Sequence, residues 1–192
     1  MEIRTDRVGV LVDQLTDSKD FSADRLAGLT RDEYLWEPHR GMWSIRQRGE
    51  AKTPDAYGPG DWVLDHDTSI SPFDAGPLTT IAWRIGHVAS GLAGRWEYTF
   101  GQRTADPKSL VDFGPDPDEA LACLWSSTDR WAASIETMTD EQLDVPGFGT
   151  YPYGLDAEIP FIGIVRWVNR EFIHHLAEVA LLRDLYVAQH NA

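Results

Sequence analysis

One cysteine, Cys123, is all the thiol chemistry in a chain of 192 residues, and a lone thiol cannot close an intrachain disulfide. It sits in the apolar stretch Ala120-Leu121-Ala122-Cys123-Leu124-Trp125, where a buried, inert thiol is expected and no chemistry is assigned. Basic side chains are also scarce. Seventeen Lys and Arg face 31 Asp and Glu, for a formal charge of −14. A field of that sign repels phosphate backbones and anionic membrane surfaces, so nucleic acid is not an expected partner and an acidic substrate would need a local basic spot. No run approaches the roughly twenty apolar residues that a membrane span requires. The amino-terminal Met1-Glu2-Ile3-Arg4-Thr5-Asp6 has no apolar core of a signal peptide, which makes the cytoplasm the expected compartment. The chain has no Gly-rich phosphate loop, no Ser-His-Asp order with a nucleophile elbow and no paired cysteines, so nucleotide-dependent and serine-hydrolase chemistry have no support.

What is present is an ordinary apolar content, 42%, with an unusual eight Trp. The length suits one core, and a single domain over residues 1–192 is expected. Val8, Leu11, Val12, Leu15, Phe21, Leu26 and Leu29 support an opening helix that Asp17-Ser18-Lys19-Asp20 interrupts with a kink or an end. Residues 34–75, rich in Pro, Gly and Trp, read as a long loop packed on the helices by Trp36, Trp43, Tyr57 and Trp62. A short hairpin of Trp43-Ser44-Ile45-Arg46 against Trp62-Val63-Leu64 is expected within it. Gly76-Pro77 opens a second helix that runs to about Phe100. Asp116 as cap, Pro117 at the first position and Glu119 closing a capping box start a third, which ends near Thr137. Thr139-Asp140-Glu141-Gln142-Leu143 is a short helical turn, followed by a loop with Pro146, Gly147, Gly149, Pro152 and Gly154. Ile159-Pro160-Phe161 opens a fourth helix that continues to about Val187. The expected fold class is all-α, a four-helix bundle with long connections and a short hairpin in the loop after helix 1.

Three residues carry chemistry in this pattern. Glu171 and His175, at i and i+4, share one face of the fourth helix, and His87 is mid-helix in the second. Imidazole nitrogen and carboxylate oxygen are donors that zinc, nickel, iron or manganese accept, and three protein ligands leave a position open for water or substrate. A histidine on an apolar helix face is also a common satisfied core residue, and spacing alone leaves both readings standing.

Three stretches together resemble one family. They are Leu29-Thr30-Arg31-Asp32-Glu33-Tyr34-Leu35-Trp36-Glu37-Pro38 with Trp43-Ser44-Ile45-Arg46, then Thr79-Thr80-Ile81-Ala82-Trp83-Arg84-Ile85-Gly86-His87, then the run from Val168 through Glu171-Phe172-Ile173-His174-His175 to Tyr186. They are similar to the DinB-like superfamily, which includes the mycothiol-dependent maleylpyruvate isomerase-like proteins. The resemblance implies a four-helix bundle with three histidines around a divalent metal, and an activity as a transferase or isomerase that uses mycothiol or bacillithiol as cosubstrate. Two of the histidine positions fall on His87 and His175, and the third falls on Glu171. That departure changes charge, hardness and metal preference, and it leaves open a site that has lost its metal. The resemblance thus implies a metal-dependent, thiol-dependent enzyme, with a non-catalytic binding or stress-associated bundle carrying a vestigial site as the alternative.

Further residues are weighed against ordinary roles. Trp83, one turn before His87, either walls a substrate space or packs the core. Arg84 and Arg95 either meet an anionic substrate or pair with glutamates. His174 projects about 100° from His175 and is read as a supporting or packing residue. Glu178 either orients an imidazole or is a solvated glutamate. His39, His66 and His190 are read as surface residues. A homodimer is expected from apolar surface beyond one core's needs and from the resemblance, the alternative being a monomer on which Trp36, Trp43 and Trp62 fold back.

Overall fold

Capping residues decide where the helices begin. In the computed structural model, which describes residues 3–70, 77–151 and 156–190, Asp6 accepts from the Gly9 N–H at 2.7 Å and starts α1, Arg7–Leu26. The expected break at Asp17-Ser18-Lys19-Asp20 does not occur. Val8, Val12, Leu15 and Leu26 keep one buried face in helical register, Asp17 and Asp20 point to solvent, and Lys19 pairs with Asp129 at 2.5 Å. Polar residues on the outer face of a helix do not interrupt it. Phe21, read as an apolar support of that helix, is instead 70% exposed.

The chain then makes a short helix, α2, Arg31–Leu35, inside what reads as the end of a helix and the start of a loop. Thr30 and Glu33 form a reciprocal capping box, with the Thr30 N–H donating to Glu33 at 2.9 Å and the Glu33 N–H to Thr30 at 3.3 Å. Glu33 is buried and also accepts from Arg183 at 3.2 Å.

The hairpin forms as β1, Ile45–Gln47, antiparallel to β2, Trp62–Leu64, with Ile45 opposite Leu64 and Gln47 opposite Trp62. Its anchor is Asp65, a carboxylate with no exposed surface that accepts from the Ser44 N–H, Arg46 Nε and the Lys52 N–H at 2.9 to 3.1 Å. Trp43 lies outside the hairpin and instead bridges to Thr79, through Trp43 N to Leu78 O and Thr80 N to Trp43 O, each 2.9 Å.

That bridge holds residues 78–80 extended, so the second long helix starts later than expected. Thr80 accepts from the Trp83 N–H at 3.2 Å and caps α3, Ile81–Thr99. Pro77 precedes the helix, and Ala75, Gly76, Pro152 and Gly154 lie outside the described residues. α4, Pro117–Glu136, has the expected Asp116 cap with Pro117 at its first position, and Glu119 contributes its backbone N–H at 3.5 Å. The turn near Thr139 is a 3-10 turn over Gln142–Asp144. α5, Phe161–His190, outlasts its expected end by three residues at His190.

The described residues are thus mostly helical, with five helices and one small two-stranded sheet. α3 packs against α4 and α5, and α1 packs against the same two from the other side. Fully buried Trp131, Phe161 and Phe172 fill the space between them, each such side chain stabilising the fold by roughly 2 to 3 kcal/mol over its exposed state. The hairpin covers α3, bringing Leu64 against Gly86, where an added Cβ would meet Leu64 Cδ1 at 2.9 Å. No described helix is long and apolar enough to cross a membrane.

Candidate metal centre

α3 and α5 lie side by side, and their packing carries His87 to the Glu171/His175 face. One donor atom from each of His87, Glu171 and His175 falls within 4.8 Å of the others. The His87 and His175 rings stand perpendicular, 86° apart with centroids at 5.0 Å, and His175 Nε2 is 3.4 Å from Glu171 Oε2. Ligands about 2.0 to 2.1 Å from a tetrahedral cation are about 3.3 to 3.4 Å apart, so that edge matches and the others need small rotamer shifts.

The environment sets protonation in the sense a cation needs. Burial pushes the His87 imidazole down to about 3, with His175 adding to the effect. A hydrogen bond with His175 holds the Glu171 carboxyl down at about 2. Neutral imidazole and ionised carboxylate are ligand forms ready to bind.

His175 has two tautomers, and each is served. Its Nδ1 lies 2.9 Å from Glu178 Oε2 and 3.0 Å from Arg84 Nη1, and Arg84 also pairs with Glu178. If Arg84 donates to Nδ1, the proton sits on Nε2 and bridges to Glu171. If Nδ1–H donates to Glu178, Nε2 turns a lone pair to the Glu171 oxygen, and a cation bound by both would satisfy the two acceptors. The donor set therefore fits a divalent metal. Glu178 and Arg84 both touch the cluster, whereas His174 is exposed, with no hydrogen bond or ring contact tying it there among the described residues.

Trp83 resolves as a core residue with a second contact. It is buried, donates Nε1–H to Asp65 O at 2.8 Å and stacks on His87. A cavity of about 210 Å³ opens on the cluster, with His87 and Glu171 in its wall. Its other walls include Tyr57, His66, Arg95, Lys108, Tyr151 and Trp167. His66 is the correction here. Read as a surface residue, it is half-buried between Trp43 and Tyr57 and faces the cavity, and burial, then Lys108, lowers its pKa. Its position after a β-strand beside buried Asp65 was the signal, but pairing of that strand brings it inward. His39 is exposed, and His190 stacks on Tyr186 at 4.0 Å. Arg95 pairs with the buried Asp156 rather than with a glutamate and lies over Tyr151 and Trp167, at 4.4 and 4.8 Å from the ring centres.

Helices that set two imidazoles and a carboxylate around a common point define a class of helical proteins with a core metal-binding constellation. This chain belongs to the DinB superfamily, whose family model matches residues 61–179, more than half of its length. No curated protein and no solved structure gives a significant match.

Proposed function

We propose that the chain is a metal-dependent enzyme of the DinB kind, a single-domain four-helix bundle in which His87, Glu171 and His175 hold one divalent cation. The observation that carries this reading is the convergence of three donors, two of them in the wall of a cavity, with His87 kept neutral and Glu171 ionised. A cation bound there would lower the pKa of a thiol or water and supply a nucleophile at neutral pH. Zinc, nickel, manganese and iron all suit the donors, and mycothiol or bacillithiol is the thiol class the family suggests.

The chain's own residues do the rest. With a cation bound, Glu178 would accept the Nδ1 proton of His175 and keep its Nε2 directed to the cluster, while Arg84 holds Glu178 in place. Trp83 fixes the plane of His87. His66, whose charged form burial and Lys108 disfavour, faces the same cavity and offers a hydrogen-bonding imidazole there.

The reading includes a homodimer through helix faces, while the aromatic loop folds back as in the monomeric alternative. Trp36 packs edge-on to Tyr186, Trp43 on Trp83, and Trp62 bridges to Phe113, so the aromatic loop covers its own chain. Phe21 and Leu181 leave apolar area exposed on α1 and α5.

Elemental analysis after loading with zinc, nickel and manganese tests the metal reading. One equivalent is expected in wild type and a sharp loss in His87→Ala. Equal and negligible metal in both would overturn the enzyme reading and leave the non-catalytic bundle.

A further inference from the structure

We propose that the cavity beside the cluster binds a small carboxylate carried on a single flat ring, with Lys108 as the anchor of the carboxylate. The proposal deepens the reading of the cluster as a reaction centre and rests on it only for the chemistry that follows binding.

The chain's charge of −14 disfavours anions generally, so a cation turned into a cavity needs a reason. Two cations line this one. Arg95 is already neutralised by Asp156 and held between aromatic rings, so it serves as wall. Lys108 has no carboxylate within ion-pair distance among the described residues. Asp55 is near enough to feel its charge but forms no ion pair with it; Asp55 Oδ2 accepts from the Thr68 N–H and hydroxyl at 2.9 and 2.5 Å. The one carboxylate in the described wall, Glu171, is engaged by His175 and Arg170.

Lys108 is also held in position. It lies in a 3-10 turn over Pro107–Ser109, its own N–H donates to Asp106 at 3.0 Å, and Tyr98 pins the segment by donating to Ala105 O at 2.9 Å. Its ammonium stands 5.9 Å from the centre of the Tyr57 ring, on the cavity wall.

The floor of the cavity supplies an independent argument. Three glycines of α3 face different surroundings. An added Cβ at Gly86 would strike Leu64 and one at Gly94 would press on Tyr151 at 3.2 Å, but one at Gly91 would meet nothing within 4 Å among the described residues. Gly91 lines the cavity, so no packing among the described residues explains it. A mid-helix glycine costs the fold up to about 1 kcal/mol relative to alanine, and here it keeps ligand space open. The volume, about 210 Å³, exceeds the roughly 150 Å³ that accepts a benzene ring and leaves room for one short acidic substituent. Tyr57, Tyr151 and Trp167 make much of the wall aromatic, as suits a flat ring.

Calorimetric titration of the full chain, stripped of metal with chelator, with phenylacetate, its neutral isostere phenylacetamide, and acetate tests the proposal. Phenylacetate is expected to bind at least about tenfold more tightly than the amide, and acetate more weakly than both, since one charged hydrogen bond and one buried ring each contribute. Lys108→Gln should erase the preference for acid over amide while leaving amide affinity in place. Gly91→Leu should abolish binding of both with helix content retained by circular dichroism. Equal affinity for acid and amide in wild type, an unchanged ratio in Lys108→Gln, or undiminished binding in Gly91→Leu would each overturn it. Selective binding by a chain that never loads metal supports this proposal and overturns the metal reading. Metal loading without selectivity does the reverse.

Discussion

The indole of Trp83 lies parallel to the imidazole of His87, 4.7 Å away and within 9° of coplanar, one helical turn earlier on α3. The same indole donates to Asp65 O, so the buried anchor of the hairpin is connected through one side chain to a candidate metal ligand. A ring so held on both sides fixes the direction in which His87 presents its donor atoms.

Trp83→Phe keeps an aromatic face but removes the N–H, leaving the Asp65 carbonyl short of a partner. Stability should fall by about 1 to 3 kcal/mol, and zinc affinity by about tenfold as the ring plane loosens. Urea unfolding and competition with a chromogenic chelator measure both. Unchanged zinc affinity in a destabilised variant would separate Trp83 from the cluster.

Glu178→Ala removes the acceptor for the Nδ1 proton of His175 and leaves Arg84 free to donate there, favouring the tautomer with its proton on Nε2. Metal affinity should fall roughly 10- to 100-fold. Arg84→Met with Glu178 intact should cost less. The reverse order, by the same chelator competition, would show that Arg84 does the positioning.

Acid should destabilise the metal-free chain early. The folded-state pKa of His87 is depressed to about 3, so below its unfolded value, about 6.5, the unfolded chain binds more protons and stability falls with pH. The slope is at most about 1.4 kcal/mol per pH unit from this residue. Glu171, also depressed, to about 2, adds loss in the same direction below its unfolded value, about 4.5. Urea midpoints at pH 7, 6 and 5 should decline in wild type and less so in His87→Phe. Parallel declines would assign the loss to other groups.

Gly91→Ala should raise the melting temperature, by the equivalent of about 0.5 to 1 kcal/mol, since the methyl group meets no atom of the described residues within 4 Å and the helix gains propensity. Zinc loading should be unaffected. A lower melting temperature, read in the same thermal scan with and without zinc, would mean that the methyl group is not accommodated.

Sedimentation at micromolar concentration should give the mass of two chains, and Phe21→Glu should give one, because a charge would then stand on the exposed apolar face. A wild-type mass of one chain at tenfold higher concentration ends the dimer proposal.

Much of this architecture is determined locally. Asp116 with Pro117, the apolar register of α3 to α5 and the Glu171/His175 spacing need only near neighbours, so the long helices, the hairpin and the cluster's members are legible in the residues themselves. The Thr30-x-x-Glu33 box was equally legible and marks a helix inside an apparent loop. Other features depend on which surfaces meet. α3 begins at Ile81 because Trp43 claims the backbone of residues 78–80, and α1 runs through its polar stretch because that stretch faces water. His66 turns inward because its strand pairs with a partner about twenty residues away, and Lys108 reaches the cavity from a loop remote in sequence from His87 and Glu171. Periodicity assigns a side chain to one side of its own element; the opposing element, and hence the depressed pKa of His87 and the space over Gly91, exists only after long-range packing has excluded water.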